Sequence, residues 1–451
     1  MKNIISYSTL LLILFCSTLP HLSSAQNSEK EYYGKPSYWR PYDQRGINVF
    51  ETTKQDDTVT FEGPRVRFGA GFTQQFQSLK HENKTALLNT TTNRLYPFQS
   101  GFMTAQANLF MDIQLADGIR LNVTSYLSSR HHNETWVKGG YIQFDKLPFK
   151  GKFWKQLMEV ATIKVGHMEI NYGDAHFRRS DGGQTLYNPF MDNYIVDAFA
   201  TEIGGEVLLQ KNGLFGSLGI TNGMIKGSID STYETAADNN IKRSPSIYLK
   251  GGIDKQIADN IRLRLAGSFY HNGSNAGSGL TIYGGDRTGS NYQNAMEKAP
   301  AGAALPAGTV IAFSGRVNPG FSKKVNALML NGFLKIKGLE LFGTFETAKG
   351  KTKNETADRN MNQLAGEVIY RIGTTENIFL GARYNTVKLQ LAGLPNDVKI
   401  DRMALAAGWF VTKNVLMKGE YVIQNYKDFA TTDYRSGGKF NGFVIEAIVG
   451  F

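Results

Sequence analysis

The chain has 451 residues, 41% hydrophobic and 12% aromatic, with 48 glycines, one cysteine, a mean hydropathy of −0.30 and a formal charge of +11. That length suffices for a large core or barrel, and beyond the first residues no run of about 18 apolar residues occurs, which excludes a helical membrane protein. The 21 tyrosines and 28 phenylalanines exclude a disordered chain, and a lone Cys16 excludes a disulfide scaffold or a cysteine zinc site.

Lys2, the apolar run from Leu10 to Phe15, Pro20 and Ser23-Ser24-Ala25 read as a secretory signal peptide over residues 1–25, cleaved after Ala25. Cys16 would mark a lipoprotein only behind small residues, and Leu14-Phe15 are bulky. Loss of Lys2 with this leader lowers the charge from +11 to +10 and leaves a cysteine-free chain, suited to an oxidising compartment. Residues 26–64, with Tyr32-Tyr33, Tyr38-Trp39 and Pro41-Tyr42, show no sustained period. They form a periplasmic N-terminal extension, either a disordered leader or a plug entering from below.

From Arg65 onward the pattern is period-2 alternation in segments of roughly eight to fourteen residues. In 102–115, Met103, Ala105, Ala107, Leu109, Met111, Ile113 and Leu115 share one face, opposite Thr104, Gln106, Asn108, Asp112 and Gln114. The same reading gives sixteen strands: 65–77, 102–115, 119–129, 135–144, 161–170, 201–210, 214–221 and 246–255, then 261–270, 325–336, 339–347, 361–372, 378–388, 399–411, 415–426 and 442–451. Leu109, Leu263 and Ala404 are expected on the outer face and Asn108 on the inner one.

Connections alternate in length. Tight turns such as Ala116-Asp117-Gly118, Lys211-Asn212-Gly213 and Lys337-Gly338 are separated by long polar loops such as 78–101, 171–200, 222–245, 271–324 and 427–441. Short turns at one rim and long loops at the other are the pattern of an all-β transmembrane antiparallel β-barrel with short periplasmic turns and long extracellular loops. The exception is 145–160, a longer periplasmic connection with a short helix expected near Phe153 to Val160. A soluble sandwich also alternates, but strands of about 9–11 residues match a tilted bilayer crossing, whereas soluble strands average about 5–6. Residues 65–451 are therefore expected to be an outer-membrane barrel. Its last strand ends on Phe443, Ile445, Ala447, Val449 and Phe451, an apolar face resembling the signal that hands such barrels to their assembly machinery.

Sixteen strands leave an aqueous channel, so transport is the expected function. Basic side chains on the inner faces include Arg65, Arg67, Arg120, Arg262, Arg264, Arg383 and Arg402, against acids such as Asp112, Glu202, Glu206, Glu340, Glu346, Glu367, Glu420 and Glu446. The candidate constriction is the connection 171–200, carrying Tyr172, Asp174, His176, Arg178, Arg179 and Asp181. Arg178-Arg179 either form a basic eyelet for anions or are loop arginines balanced by Asp174 and Asp181. The run Val165-Gly166-His167-Met168-Glu169-Ile170-Asn171-Tyr172-Gly173 resembles the strand entering the constriction loop of the phosphate-selective porin O and P family, though Asn171 stands where members usually show Pro. The chain also resembles outer-membrane proteins of the Bacteroidetes type. The resemblance implies a sixteen-stranded porin, often a homotrimer, with inward-folded loops.

No enzymatic motif is evident. Glu202 and Glu206 lie roughly 13 Å apart along a strand, beyond the ~5–9.5 Å that paired carboxylates need for glycoside chemistry. His167, Glu169, Asp174 and His176 do not group as a metal site, no cofactor is implied, and the scattered basic charge does not suit nucleic acid. Expected partners are outer-membrane lipid, the barrel assembly machinery and small hydrophilic solutes or anions, in the outer membrane of a Gram-negative cell. The alternative is a surface-exposed barrel acting through its loops as an adhesin or receptor, with little conductance.

Overall fold

The computed structural model describes residues 39–52, 54, 60–84, 95–97, 99–103, 105–127, 135–224, 227–229, 233–276, 282–286, 291–299 and 313–451. The leader, residues 1–25, lies outside the described residues, as do parts of the loops 78–101, 222–245 and 271–324. Arg40–Lys54 and Phe61–Phe451 form one compact unit.

Its strands are β1 (Arg65–Glu82), β2 (Gly101–Phe102), β3 (Gln106–Ala116), β4 (Ile119–Leu127), β5 (Thr135–Phe144), β6 (Ala161–Glu169), β7 (Thr201–Lys211), β8 (Leu214–Thr221) and β9 (Ser246–Ala258). The second half holds β10 (Ile261–Asn272), β11 (Lys324–Ile336), β12 (Leu339–Lys351), β13 (Arg359–Ile372), β14 (Ile378–Gln390), β15 (Asp397–Thr412), β16 (Val415–Lys427) and β17 (Lys439–Gly450). Both β2 and β3 pair with β1, at Phe76↔Phe102 and at Thr73↔Gln106, so they are two parts of one stave and the barrel has sixteen. On its other edge β1 pairs with β17 from Gly71↔Gly450 to Glu82↔Lys439, which closes the sheet. Closure leaves no unpaired edge, the condition for strands to cross a bilayer.

Turn chemistry fixes the periplasmic rim. Asn212 and Gly213 both take positive φ, 54° and 76°, as the tight hairpin between β7 and β8 requires. At the seam, Phe451 exchanges two backbone hydrogen bonds with Ala70, at 2.9 and 3.1 Å.

Burial alternates along β12, β13, β16 and most of the other long strands. Leu109, Leu265, Leu364, Leu405 and Ile445 are exposed on the outer face, with Phe443 and Phe451, while Val449 is half-buried on the same face. Such a belt of exposed apolar side chains is unfavourable in water and favourable in hydrocarbon. Asn108 is buried on the inner face, and Leu263 shares the outer parity of Leu265. Ala404 corrects the expectation made for it: it is 1% exposed and shares the inner parity of Arg402. Small size and apolarity do not distinguish a lipid-facing alanine from one packed against an inward loop.

The periplasmic connection after β5 contains a helix, α1 (Lys152–Met158). Arg40–Lys54, from the irregular N-terminal stretch, runs inside the barrel at its periplasmic end. There Gln44 N donates to Lys413 O at 2.8 Å, and Phe50 packs edge-on against Phe333 of β11.

Candidate functional site

The lumen is organised by the connection between β6 and β7, nearly all of it buried inside the barrel. Two glycines let it pass close to the wall. Gly173 has φ +72°, and a Cβ there would lie 2.2 Å from Met329 Sδ; the tip, Gly183, has φ +79° and lies against Gly71 of β1, where a Cβ would lie 2.4 Å from the Gly183 carbonyl. The loop forms only short 3-10 turns, Ala175–Arg178 and Thr185–Tyr187.

A buried segment without a ladder must find side-chain partners for its backbone. Gly173 N donates to Ser268 Oγ at 3.0 Å, Asp174 N to Asn331 Oδ1 at 2.9 Å, Met191 N to Glu420 Oε2 at 2.8 Å, Ile195 N to Asn385 Oδ1 at 2.7 Å and Val196 N to Gln363 Oε1 at 3.0 Å. The polar inner faces of β10 to β16 thus act as the loop's hydrogen-bond lattice.

Charge in this half is paired. Arg264 grips Asp174 with two hydrogen bonds of 2.7 Å and reaches Glu51 at 2.7 Å, while Lys250 lies 2.8 Å from each of these acids. Burial would raise the Glu51 carboxyl, but Lys250 and Arg264 hold it down at about 2, and Asp174 is likewise held low. Arg178 bonds Glu367 at 3.1 Å and donates to Asn48, and Glu367 also binds Arg383 at 2.8 Å. Arg179 is clamped between Asp181 at 2.5 Å and Asp197 at 2.6 Å. Arg316, from the loop between β10 and β11, meets Asp192 at 2.7 Å and Asp197 at 2.9 Å, and Arg402 lies 3.1 Å from Asp192. Burial pushes the Asp181 carboxyl up to about 6 despite Arg179, and burial lowers His176, whose Nδ1 lies 2.5 Å from Glu169.

All six candidate constriction residues therefore lie inside the barrel: Tyr172 donates to Glu346 at 3.1 Å, and Asp174, His176, Arg178, Arg179 and Asp181 are buried in the contacts above. Of the basic candidates, Arg120, Arg264, Arg383 and Arg402 are buried. Arg65, Arg67 and Arg262 are half-buried near the periplasmic end, with Arg262 2.7 Å from Asp254 and Arg67 5.3 Å from the centre of the Tyr42 ring.

Sequence reasoning missed Asn48 and Glu51, which lie in a stretch with no period, and Asp192, Asp197 and Arg316, which carry no motif. It also missed Lys164, legible only from its inner parity with Thr162 on β6.

The opposite wall is different. On β4 to β6, Asn122 and Thr124, then Tyr141, then Lys164 face inward at mid-strand and are all half-buried. Four residues of the loop, Ala175, Phe177, Gly183 and Gln184, are half-buried as well. Lys164 is 29% exposed and only 3.8 Å from Glu206, whereas the Arg178 and Arg179 side chains are each 2% exposed.

No known family profile and no curated protein matches the sequence. Among solved structures, the barrel is similar to the anion-selective porin from Comamonas acidovorans, with TM-score 0.51 and 11% identity over 86% of this chain and 100% of that one. The outer membrane channel DcaP of Acinetobacter baumannii aligns with TM-score 0.49 and 10% identity over 88% and 100% of the two chains. The trimer form of OmpT, an outer membrane protein of Vibrio cholerae, aligns with TM-score 0.48 and 11% identity over 86% and 100%. At these identities the likeness is one of fold, that of outer-membrane β-barrels.

Proposed function

We propose that the protein is an outer-membrane porin, a non-enzymatic channel for passive diffusion of small hydrophilic solutes. Solutes pass along the β4 to β6 wall, between it and the inward loop. The observation that carries this reading is the half-buried state of Asn122, Thr124, Tyr141 and Lys164, mid-strand residues on the inside of a closed barrel. A mild anion preference is supported by the +11 charge of the chain, by the half-buried, inward-facing Lys164, and by the anion selectivity named for the Comamonas acidovorans porin. A homotrimeric assembly belongs to the same reading through the resemblance at Val165–Gly173. The anion preference comes from Lys164 rather than from Arg178 and Arg179, whose charges are matched by carboxylates.

The test is zero-current potential in a salt gradient across planar bilayers holding the purified protein. Lys164→Glu should move it towards cations with conductance retained. An unchanged potential would remove Lys164 from the pathway. A second reading, a surface barrel acting through its loops, is favoured by the loop-filled half of the lumen, and absence of any conductance would support it instead.

A further inference from the structure

The periplasmic connection between β5 and β6 carries a surface that channel function does not use. Phe149, Phe153 and Trp154 are 56%, 66% and 37% exposed, and Trp154 lies 5.1 Å, centre to centre, from each of the two phenylalanine rings. Between Lys146 and Met158 there are four lysines and no carboxylate. Lys146 is tied to Asp117 at 2.8 Å, while Lys150, Lys152 and Lys155 lie among the exposed residues around the three rings.

The segment is held in place rather than merely long. Met158 is buried at the end of α1, and Lys54 Nζ, reaching from inside the barrel, donates to the carbonyls of Asp145, at 2.8 Å, and of Met158. Both ends of the connection are thus fixed at the periplasmic rim. There the flanking strands present exposed Ile142 and Val165 on the outer face, so the aromatic cluster continues the apolar belt of the barrel.

We propose that α1 and the residues before it form an interfacial anchor on an anionic phospholipid surface, the periplasmic leaflet of the outer membrane. The three rings enter the boundary between headgroups and acyl chains, and Lys150, Lys152 and Lys155 meet lipid phosphates. Clustered aromatic rings are stable at that depth and costly in water, and lysines beside them add attraction to anionic lipid. A short helix suffices because the barrel supplies the main hold. The anchor would keep the periplasmic mouth next to β5 and β6 at a fixed depth.

This inference rests on the outer-membrane reading, and its test separates the two. The full chain is reconstituted in vesicles of phosphatidylethanolamine with phosphatidylglycerol, with three of the four tryptophans, Trp39, Trp136, Trp154 and Trp409, changed to Phe so that one remains. Trp409 is the control: it lies on the outer face of β15, paired with Ile378 and Met417, both exposed. With acyl chains brominated near the headgroup, both single-tryptophan proteins should be quenched. Lys150→Gln, Lys152→Gln and Lys155→Gln together should at least halve the quenching of Trp154 in phosphatidylglycerol vesicles and leave Trp409 unchanged.

Quenching of Trp409 alone, with Trp154 open to aqueous iodide, would overturn the anchor while leaving the barrel in the bilayer, and would assign the patch to a periplasmic protein. Quenching of neither would overturn the membrane reading and the anchor with it. Trp154 quenching indifferent to phosphatidylglycerol and to the lysines would overturn the anionic-lipid assignment.

Discussion

The two sides of the lumen are both lined by polar residues and behave differently. From β10 to β16 the inner faces carry arginines and carboxylates that are buried and matched, with an inward loop using the wall as its hydrogen-bond partner. From β4 to β6 the inner faces carry Asn122, Thr124, Tyr141 and Lys164, which no loop covers completely. The difference teaches that an inner-face arginine is not by itself a selectivity element. Arg179 between two aspartates is an architectural clamp, whereas Lys164 is more exposed and lies 3.8 Å from Glu206.

The largest expected effect comes from breaking the packed side. Arg264→Met leaves Asp174 and Glu51 buried with only Lys250 to compensate them, and removing one member of such a buried network costs about 3–5 kcal/mol. Urea unfolding of the reconstituted barrel should show this loss, and wild-type stability would contradict the clamp assignment. Arg179→Glu would place a third carboxylate between Asp181 and Asp197. The loop should detach from the wall and single-channel conductance rise, an outcome opposite to a simple change of selectivity.

The outer face gives a somewhat smaller effect. Leu109→Arg should cost about 2–4 kcal/mol if the site lies near the bilayer midplane, whereas Thr124→Arg on the open inner wall should be tolerated. Equal cost at both positions would contradict the register of β3 and β4.

Acidity should sharpen the contrast with a smaller shift. Asp181, pushed up to about 6 by burial, takes up a proton as pH falls through that value, leaving Arg179 and Arg316 with one carboxylate fewer between them. The zero-current potential should move towards anions between about pH 7 and 5. The sign for stability follows: a carboxyl raised above its ordinary value of 3.8 favours the folded state at low pH and loses that contribution as pH rises through 6. Glu51 works the other way, because its stabilising contribution is present above its ordinary value of 4.5 and is lost as pH falls through about 2. A potential indifferent to pH in Asp181→Asn, but not in the parent protein, would assign the effect to this group.

The barrel itself was readable because a closed sheet in a bilayer imposes period-2 alternation on every stave, and the short turns at one rim punctuate it. That is why 135–144 and 214–221 coincide with β5 and β8. The inward loop was readable in place but not in chemistry. Asp192 and Asp197 sit in the same connection as Arg179, yet only the folded path brings Asp197 to Arg179 and both aspartates to Arg316, more than a hundred residues away. Glu51 was hidden for the opposite reason: a segment with no regular structure leaves no period, although its carboxylate, with that of Asp174, contacts both Lys250 and Arg264 of the wall. Ala404 shows the limit of hydrophobicity as a guide to facing, since a barrel wall packed against a loop needs small apolar residues on the inside too.

The central claim is that solutes travel along the open wall and not through the loop-filled side. Single-channel recording of two cysteine variants tests it: Thr124→Cys on β4, and Thr344→Cys on the packed inner face of β12, where Thr344 accepts from Asn331 at 2.9 Å. Adding a bulky, negatively charged methanethiosulfonate reagent should step down the current of Thr124→Cys and leave Thr344→Cys unchanged. Block of Thr344→Cys with an unaffected Thr124→Cys would place the pathway on the other side of the loop and contradict the account.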